Sequence, residues 1–311
     1  MTAFEAAGVV VFAWCIDHAC GEPSARFHPV VWMGGYLRRA GHRLPALAPR
    51  WALVGGALAW SVGAALVVAI ACLIEVGLTH VLAPLADAAR VTLTILLLGL
   101  VLKPMFAWRM LRDEVLAVER ALDIDLAAAS QRLSRLVSRD VHALGETDIR
   151  EAAIETLAEN LNDSVIAPLW WFAIAGLPGA ALYRFANTAD AMWGYRGRWE
   201  WAGKWAARAD DVLSWIPARL TAGALLVLSP RHWPACAREA KRTPSPNGGW
   251  PMSAVALALG IRLTKPGVYA LNANARSPRQ GDVAAAVRLA RRAAGIAVVM
   301  LTILAAARAS L

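Results

Sequence analysis

Residues 51–74 read WALVGGALAWSVGAALVVAIACLI and contain no charged side chain. In a bilayer every backbone N–H and C=O must be satisfied within the segment, so such a run is read as a helix. About 20 apolar residues suffice to cross roughly 30 Å of hydrocarbon, and this run is long enough. It decides the fold class: an integral membrane protein built of helices. Composition agrees. The chain of 311 residues is 58% hydrophobic and 18% charged, where a soluble domain carries about 25% charged residues.

Other apolar runs lie on either side. Residues 91–102 (VTLTILLLGLVL) are short alone and are lengthened by the weakly polar stretch before them; 293–307 (AAGIAVVMLTILAAA) are similar. Residues 6–16 form a first apolar run. Glu5 stands where a cleaved leader would carry Lys or Arg, so this run is expected to be a retained anchor or a buried helix. The spans expected are about 4–20, 51–74, 85–103 and 293–309. Residues 165–183 are apolar but broken by Pro168 and the Gly176-Leu177-Pro178-Gly179 turn. Residues 212–228 contain Pro217 and Arg219. Both read as interrupted or re-entrant segments, with backbone breaks covered by protein. The fold expected is an all-α, polytopic, single-domain membrane protein with a helical region on the cytoplasmic side.

The net charge of +9 does not point to nucleic acid, because basic loops orient membrane segments. Arg38, Arg39, Arg43 and Arg50 crowd the segment before the long run, while residues 75–90 hold one basic residue, Arg90. That asymmetry places residues 38–50 in the cytoplasm, 75–90 outside, and the polar stretch 103–163 in the cytoplasm again. Leu111, Val115, Val118 and Leu122 recur at helical spacing there, and Asp125 is placed to cap a following helix. A further helix is expected to start at Thr147 and run through Leu157. The four cysteines show neither a CxxC pair nor ligand spacing, so no disulfide framework or metal site is implied.

The chemistry-bearing residues cluster. Glu155, Glu159 and Asp163 step by four and share a helix face, where like charges repel by about 0.2–0.5 kcal/mol per pair. Such a face is either solvated or neutralised by a cation. Asn160 and Asn162 add neutral oxygen donors, and carboxylate-plus-amide sets suit Mg²⁺ held together with phosphates. Asn187 and Asp190 follow an apolar hairpin, and Asp210-Asp211 precede an apolar run. Arg139, Arg184, Arg196, Lys204, Arg208 and Arg219 are interleaved with them, and guanidinium groups suit phosphates and carboxylates. Glu22 and His28 are presented by a turn stiffened by Gly21, Pro23 and Pro29. Asn247 and Trp250 belong to a loop, SPNGGWP, in which Gly248-Gly249 would leave N–H groups open to an anion unless the loop is an ordinary turn. No P-loop or spaced GxGxxG is present.

Taken in order, Asp17 with GEP and HPV, ETLAENLNDSVIAPLWW, RFANTADAMWGYR, ARADDVLSWIPARLTA and NGGWPMSAVALALGIRL resemble the CobD/CbiB family of adenosylcobinamide-phosphate synthases, from about Asp17 to Tyr269. The resemblance implies an enzyme of the cytoplasmic membrane that uses ATP and Mg²⁺. It would join adenosylcobyric acid, a corrinoid, to aminopropanol phosphate or aminopropanol. On that footing Glu159, Asp163 and Asp190 are the catalytic candidates, and with Asn160 the metal ligands. Glu22, His28, Arg139, Asn187, Arg196, Lys204, Arg208, Asp211, Arg219, Asn247 and Trp250 are the substrate-binding candidates. Membrane lipid and other membrane-bound enzymes of cobalamin synthesis are the implied partners. The family commonly has Asp at Glu22, Glu at Met252 and Asn at Gly197; Met252 removes an acid. The competing classes are a catalytically silent scaffold or regulator on the same fold, and a transporter, whose expected signature of charged residues within uninterrupted spans is weak here.

Overall fold

The computed structural model describes residues 1–137, 140–141 and 143–310. In chain order the helices begin with α1 (Ala3–Cys20), α2 (Pro29–Gly41), α3 (Pro49–Leu82) and α4 (Asp87–Leu102). Next come α5 (Trp108–Leu122), α6 (Leu126–Leu133) and α7 (Glu146–Leu161), which runs through a π turn at Asn162–Ile166 into α8 (Ala167–Trp193). Then follow α9 (Lys204–Leu213), α10 (Trp215–Leu226), α11 (Trp233–Ala240) and α12 (Gly249–Leu259). A two-stranded hairpin, β1 (Leu263–Lys265) and β2 (Tyr269–Leu271), precedes α13 (Asp282–Ala309). Among the described residues, five helical stretches are long and apolar enough to cross a membrane: Ala3–Cys20, Pro49–Leu82, Asp87–Leu122, Glu146–Trp193 and Asp282–Ala309. The protein is an all-α, multi-pass membrane protein.

The chain forms two compact units. The first comprises 1–107, 167–213 and the end of α13 from Val298; the second comprises 108–166 and 214–297. In the first, α1 lies along α4, and α3 lies along α8 and α9. Small residues set these approaches, as they do between membrane helices generally. A side chain at Gly63 would collide with the Phe185 and Tyr36 rings, and one at Gly41 would meet the Trp193 indole at 2.7 Å. In the second unit α5 turns Leu111, Val115, Val118 and Ala121 inward. Asp125 caps α6 by accepting the Ala128 N–H at 2.6 Å.

Three expectations are corrected. The long span does not end at residue 74: α3 continues to Leu82, so Glu75 is a helix residue and not part of a loop. α7 starts at Glu146, its N-terminus closed by Gly145, whose N–H donates to Asp148, so Thr147 is not the first residue. The region 103–163 is also no simple set of solvated helices, because α7 is buried almost continuously from Ile149 to Ala158.

The expected break in 165–183 is present. Within α8, Ala175 and Gly176 leave helical geometry, and Gly176 has φ 67° and ψ −158°, a region essentially closed to residues with a Cβ. Beyond the break Gly179 lies against the Trp171 carbonyl. A straight helix would hold those two residues about 12 Å apart at 1.5 Å per residue, so the two arms fold toward each other. The Leu177 N–H freed by the break donates to the Glu75 carboxylate at 3.1 Å. A Cβ at Gly176 would meet that carboxylate at 2.8 Å and the Arg308 guanidinium at 3.4 Å. Helix α3 therefore caps the second arm of α8 with an acid.

Candidate functional site

In the second unit a polar cavity of about 160 Å³ opens beside α7. Glu155, Thr156, Glu159 and Asn160 line it from α7, Lys265 from β1 and Tyr269 from β2, with Leu136 and Val137 completing the wall. Glu155 is buried and Glu159 is exposed. The hairpin is anchored one helical turn before the cavity. There the buried Glu151 accepts the Thr264 N–H at 2.7 Å, the Thr264 hydroxyl, and the Arg262 Nε–H at 3.4 Å. Register then fixes Lys265 opposite Tyr269, and the Tyr269 hydroxyl donates to the Met252 sulfur at 3.7 Å. Met252 is a buried thioether acceptor here.

The loop 245–250 closes on the same helix. A side chain at Gly248 would stand 3.1 Å from Glu159 Oε1, so glycine lets the carboxylate reach the N-terminal end of α12, where a negative charge is favoured. The loop is an ordinary turn and not an open anion cradle, because Ser245 Oγ accepts the N–H of Asn247 (3.2 Å) and of Gly248 (3.0 Å). Arg219 holds it. Its guanidinium lies between the Trp215 and Trp250 rings (4.2 and 4.8 Å) and donates to Asn247 Oδ1 at 2.9 Å, Pro246 O at 3.3 Å and Trp215 O at 2.6 Å. Arg219, Asn247 and Trp250 are thus brought together, as a clamp on the loop.

The π turn alters the expected stepping of acids. It inserts an extra residue into the helical repeat, as such turns do, often at functional positions. Asp163 is not among the residues lining the cavity. Asn162 donates to its Oδ1 at 2.7 Å and itself accepts the Thr221 hydroxyl at 3.1 Å. Asn160 Oδ1 accepts the Ser164 hydroxyl at 3.2 Å.

The remaining candidates belong to the first unit. Glu22 and His28 join a buried ion cluster with two residues the sequence did not single out together, Asp17 and Lys103. Lys103 Nζ lies 2.5 Å from Glu22 and 3.2 Å from Asp17, with its side chain only 4% exposed. His28 caps α2 through Nδ1, which accepts the Val30 N–H, and its Nε2–H donates to Glu22 at 2.9 Å. Burial works to raise the Glu22 carboxyl, but the hydrogen bonds and charges of His28 and Lys103 outweigh it and hold it below the usual glutamate value. Asn187 accepts from Arg184 at 3.5 Å and donates to Asp210 at 3.4 Å. Burial pushes Asp211 above the usual carboxylate range, against the charge of Arg208. Lys204 pairs with Glu200 at 3.7 Å and sits over the Trp201 ring. Arg196 is exposed in the segment after α8, and Asp190 accepts the Gly194 N–H through its carbonyl at the end of α8. Arg139 lies outside the described residues.

Among the described residues no three His, Cys, Asp or Glu side chains form a metal cage. Mg²⁺ rarely uses one, since it is held by one or two carboxylates together with substrate phosphates and water. Glu155, Glu159 and Asn160 supply donors of that kind. Sequence reasoning missed Lys265 and Tyr269. The signal available was LTKPGVY, in which Pro266-Gly267 marks a tight turn that brings the flanking Lys and Tyr into register.

A family model described as CobD/Cbib protein matches residues 10–298. The chain belongs to the CobD/CbiB family. It is similar to a probable cobalamin biosynthesis protein CobD of Thermococcus kodakarensis, with 37% identity covering 90% of this chain and 89% of that one. A cobalamin biosynthesis protein CobD of Rhodobacter capsulatus is 38% identical, over 94% of this chain and 96% of its own. A probable CobD of Methanothermobacter thermautotrophicus is 39% identical, over 85% and 86%. No solved structure matches. The stretch matched to the CobD/CbiB family includes the whole lining of the polar cavity and the buried ion cluster of the first unit.

Proposed function

We propose that this CobD/CbiB protein is the amide-forming ligase of cobalamin synthesis, joining adenosylcobyric acid to aminopropanol phosphate or aminopropanol at the expense of ATP. The observation that carries the reading is the cavity on α7, which sets Glu155, Glu159 and Asn160 against Lys265 and Tyr269. A free carboxylate does not react with an amine at neutral pH and must first be activated. Transfer of the ATP γ-phosphoryl group to the corrinoid carboxylate gives an acyl phosphate and ADP. The amine nitrogen then attacks the acyl carbon, the C–O bond to phosphate breaks, and phosphate leaves with its electron pair. Mg²⁺, bound with the nucleotide, neutralises phosphate charge during the transfer. Glu159, with Asn160, would hold it from α7. Glu155, at the buried wall, is placed to take the proton that the ammonium form of the amine must lose before it attacks. Asp163, held at the π turn by Asn162, is the further acid of this unit proposed to act.

ATP is cytoplasmic, so the same reading sets the cavity on the cytoplasmic face of the inner membrane, in accord with the Arg-rich segment 38–50. The test uses the full chain in membranes. Glu159→Gln, which leaves a poorer Mg²⁺ ligand, and Asp163→Asn, which removes the charge held at the π turn, are expected to insert normally and to lose ATP-dependent amide formation by about a hundredfold or more. A cysteine at Asp148 should resist an impermeant thiol reagent in intact cells. Wild-type turnover by both variants would leave the scaffold reading in place.

A further inference from the structure

An apolar cavity of about 420 Å³ lies within the first unit, between α2, α3, the end of α4 and the second arm of α8. Trp32 and Tyr36 are the two lining side chains that carry an N–H or O–H group, and both groups are already used. The Trp32 indole donates to Arg26 O at 2.9 Å, and the Tyr36 hydroxyl donates to Ala59 O at 2.7 Å. A ligand rich in amides or carboxylates would give up its hydrogen bonds to water there and regain none. The cavity suits hydrocarbon.

Length and entrance narrow the choice. Gly63 and Ile74, its first and last lining residues on α3, are about 16 Å apart at 1.5 Å per residue. That is roughly half of the 30 Å hydrocarbon core, the depth of one leaflet. Phe27, Trp32, Leu66, Ile70 and Leu100 line the cavity and are also exposed, so it opens to the surroundings of the helices. Ala71, Leu177, Ala181 and Phe185 form a buried wall.

The entrance lies level with the ends of two spans. α1 and α4 run side by side in one direction: a Cβ at Gly8 would meet Ile95, and one at Gly99 would meet Phe12. They end at Cys20 and Leu102, and Glu22 and Lys103, just beyond those ends, pair with each other. Arg26 belongs to the same short segment as Glu22, with its guanidinium 5.7 Å from the centre of the Phe27 ring. It is exposed, and among the described residues it makes no ion pair within 4 Å. Basic and aromatic side chains at the end of a span stand at the level of lipid headgroups, and a guanidinium suits a phosphate.

We infer that this cavity holds one acyl chain of an anionic phospholipid, whose phosphate is met by Arg26 at the entrance. Hydrocarbon fits the lining, a leaflet's depth fits the chain, and the guanidinium fits the charge of the headgroup. The lipid fills the space between α2, α3 and α8. This site is independent of the ligase reading.

The test uses the full chain in phosphatidylcholine vesicles carrying a trace of phosphatidylglycerol, or of phosphatidylcholine, with a diazirine on one acyl chain. Irradiation is followed by mass spectrometry of the peptides. The phosphatidylglycerol probe should label residues 177–185, whose Leu177, Ala181 and Phe185 are buried from bulk lipid. Ala71→Phe, which fills the cavity, should abolish that label and leave labelling at the exposed Leu58 and Val62 unchanged. Val67→Phe, on the same wall, replaces it if thermal melting shows Ala71→Phe to be unfolded. Arg26→Gln should lower labelling of 177–185 by phosphatidylglycerol about fivefold, to the level of the phosphatidylcholine probe. No label at 177–185 in the wild type, or a label that persists in the filled variant, overturns the cavity as an acyl-chain site. Equal labelling by both probes, unchanged in Arg26→Gln, overturns the anionic headgroup and the role of Arg26.

Discussion

Two groups of buried charge in this molecule are built in opposite ways. Around Lys103 in the first unit, Asp17, Glu22 and His28 stand within 3.2 Å of their partners, and the network is closed. Around Lys265 in the second unit, the ammonium shares a cavity with Glu155 and Glu159 and pairs with neither within 4 Å. Burying an ion costs several kcal/mol unless a partner compensates. The first cluster meets that cost within the protein and so reads as scaffold. In the second, Lys265 is only half buried and Glu159 is exposed, so solvent reaches these charges.

The sharpest way to break this contrast is to remove Lys103. Lys103→Met leaves Asp17 and Glu22 buried without their cation and should cost about 3–5 kcal/mol, seen as a large fall in melting temperature or loss of folded protein in detergent. Replacing Asp17 and Glu22 by Asn and Gln in the same variant should recover much of that loss. A single Lys103→Met that melts like wild type would show that the network stabilises nothing. A smaller effect is expected at Gly248, whose backbone is ordinary helical (φ −57°, ψ −31°), so alanine brings no backbone strain. Its Cβ would press on Glu159 at 3.1 Å. Gly248→Ala should therefore raise the KM for Mg·ATP by about threefold to tenfold, the equivalent of about 1 kcal/mol, and barely move the melting temperature. An unchanged KM would detach Glu159 from nucleotide.

The smallest effect is in the pH dependence of the closed cluster. Glu22 has a folded-state pKa below its unfolded value of about 4.3. Its contribution to stability is therefore complete above about pH 4.3 and is lost as pH falls through the lower, folded value. Melting in acid should show wild type and Glu22→Gln converging over that window, with their difference constant from pH 5 to 7. A difference that grew above pH 5 would contradict the assignment.

Much of the fold was legible because membrane spans depend on local composition. The charge-free run 51–74 marked α3, the broken run 165–183 marked the hinge at Gly176, and Asp125 marked a cap. What escaped depends on tertiary contact. The burial of α7 follows from its packing between α5 and α12 and against β1, and no periodicity announces that. Spacing alone put Glu155, Glu159 and Asp163 on one face; the π turn withdrew Asp163, and a hairpin more than 100 residues later supplied Lys265. For Glu22 and His28 the sequence found the residues, while the cation between Glu22 and Asp17 is 81 residues away from Glu22.

The acid that caps the broken helix bears on how the protein is made. The Glu75 carboxylate accepts the Leu177 N–H from a segment 102 residues later. An uncapped amide inside hydrocarbon is costly, so the two arms of α8 have no stable seat until α3 is already in the bilayer with Glu75 turned toward them. Synthesis from the N-terminus delivers α3 first. The break in α8 thus imposes an order of assembly, in which an early helix waits with a carboxylate for a late one.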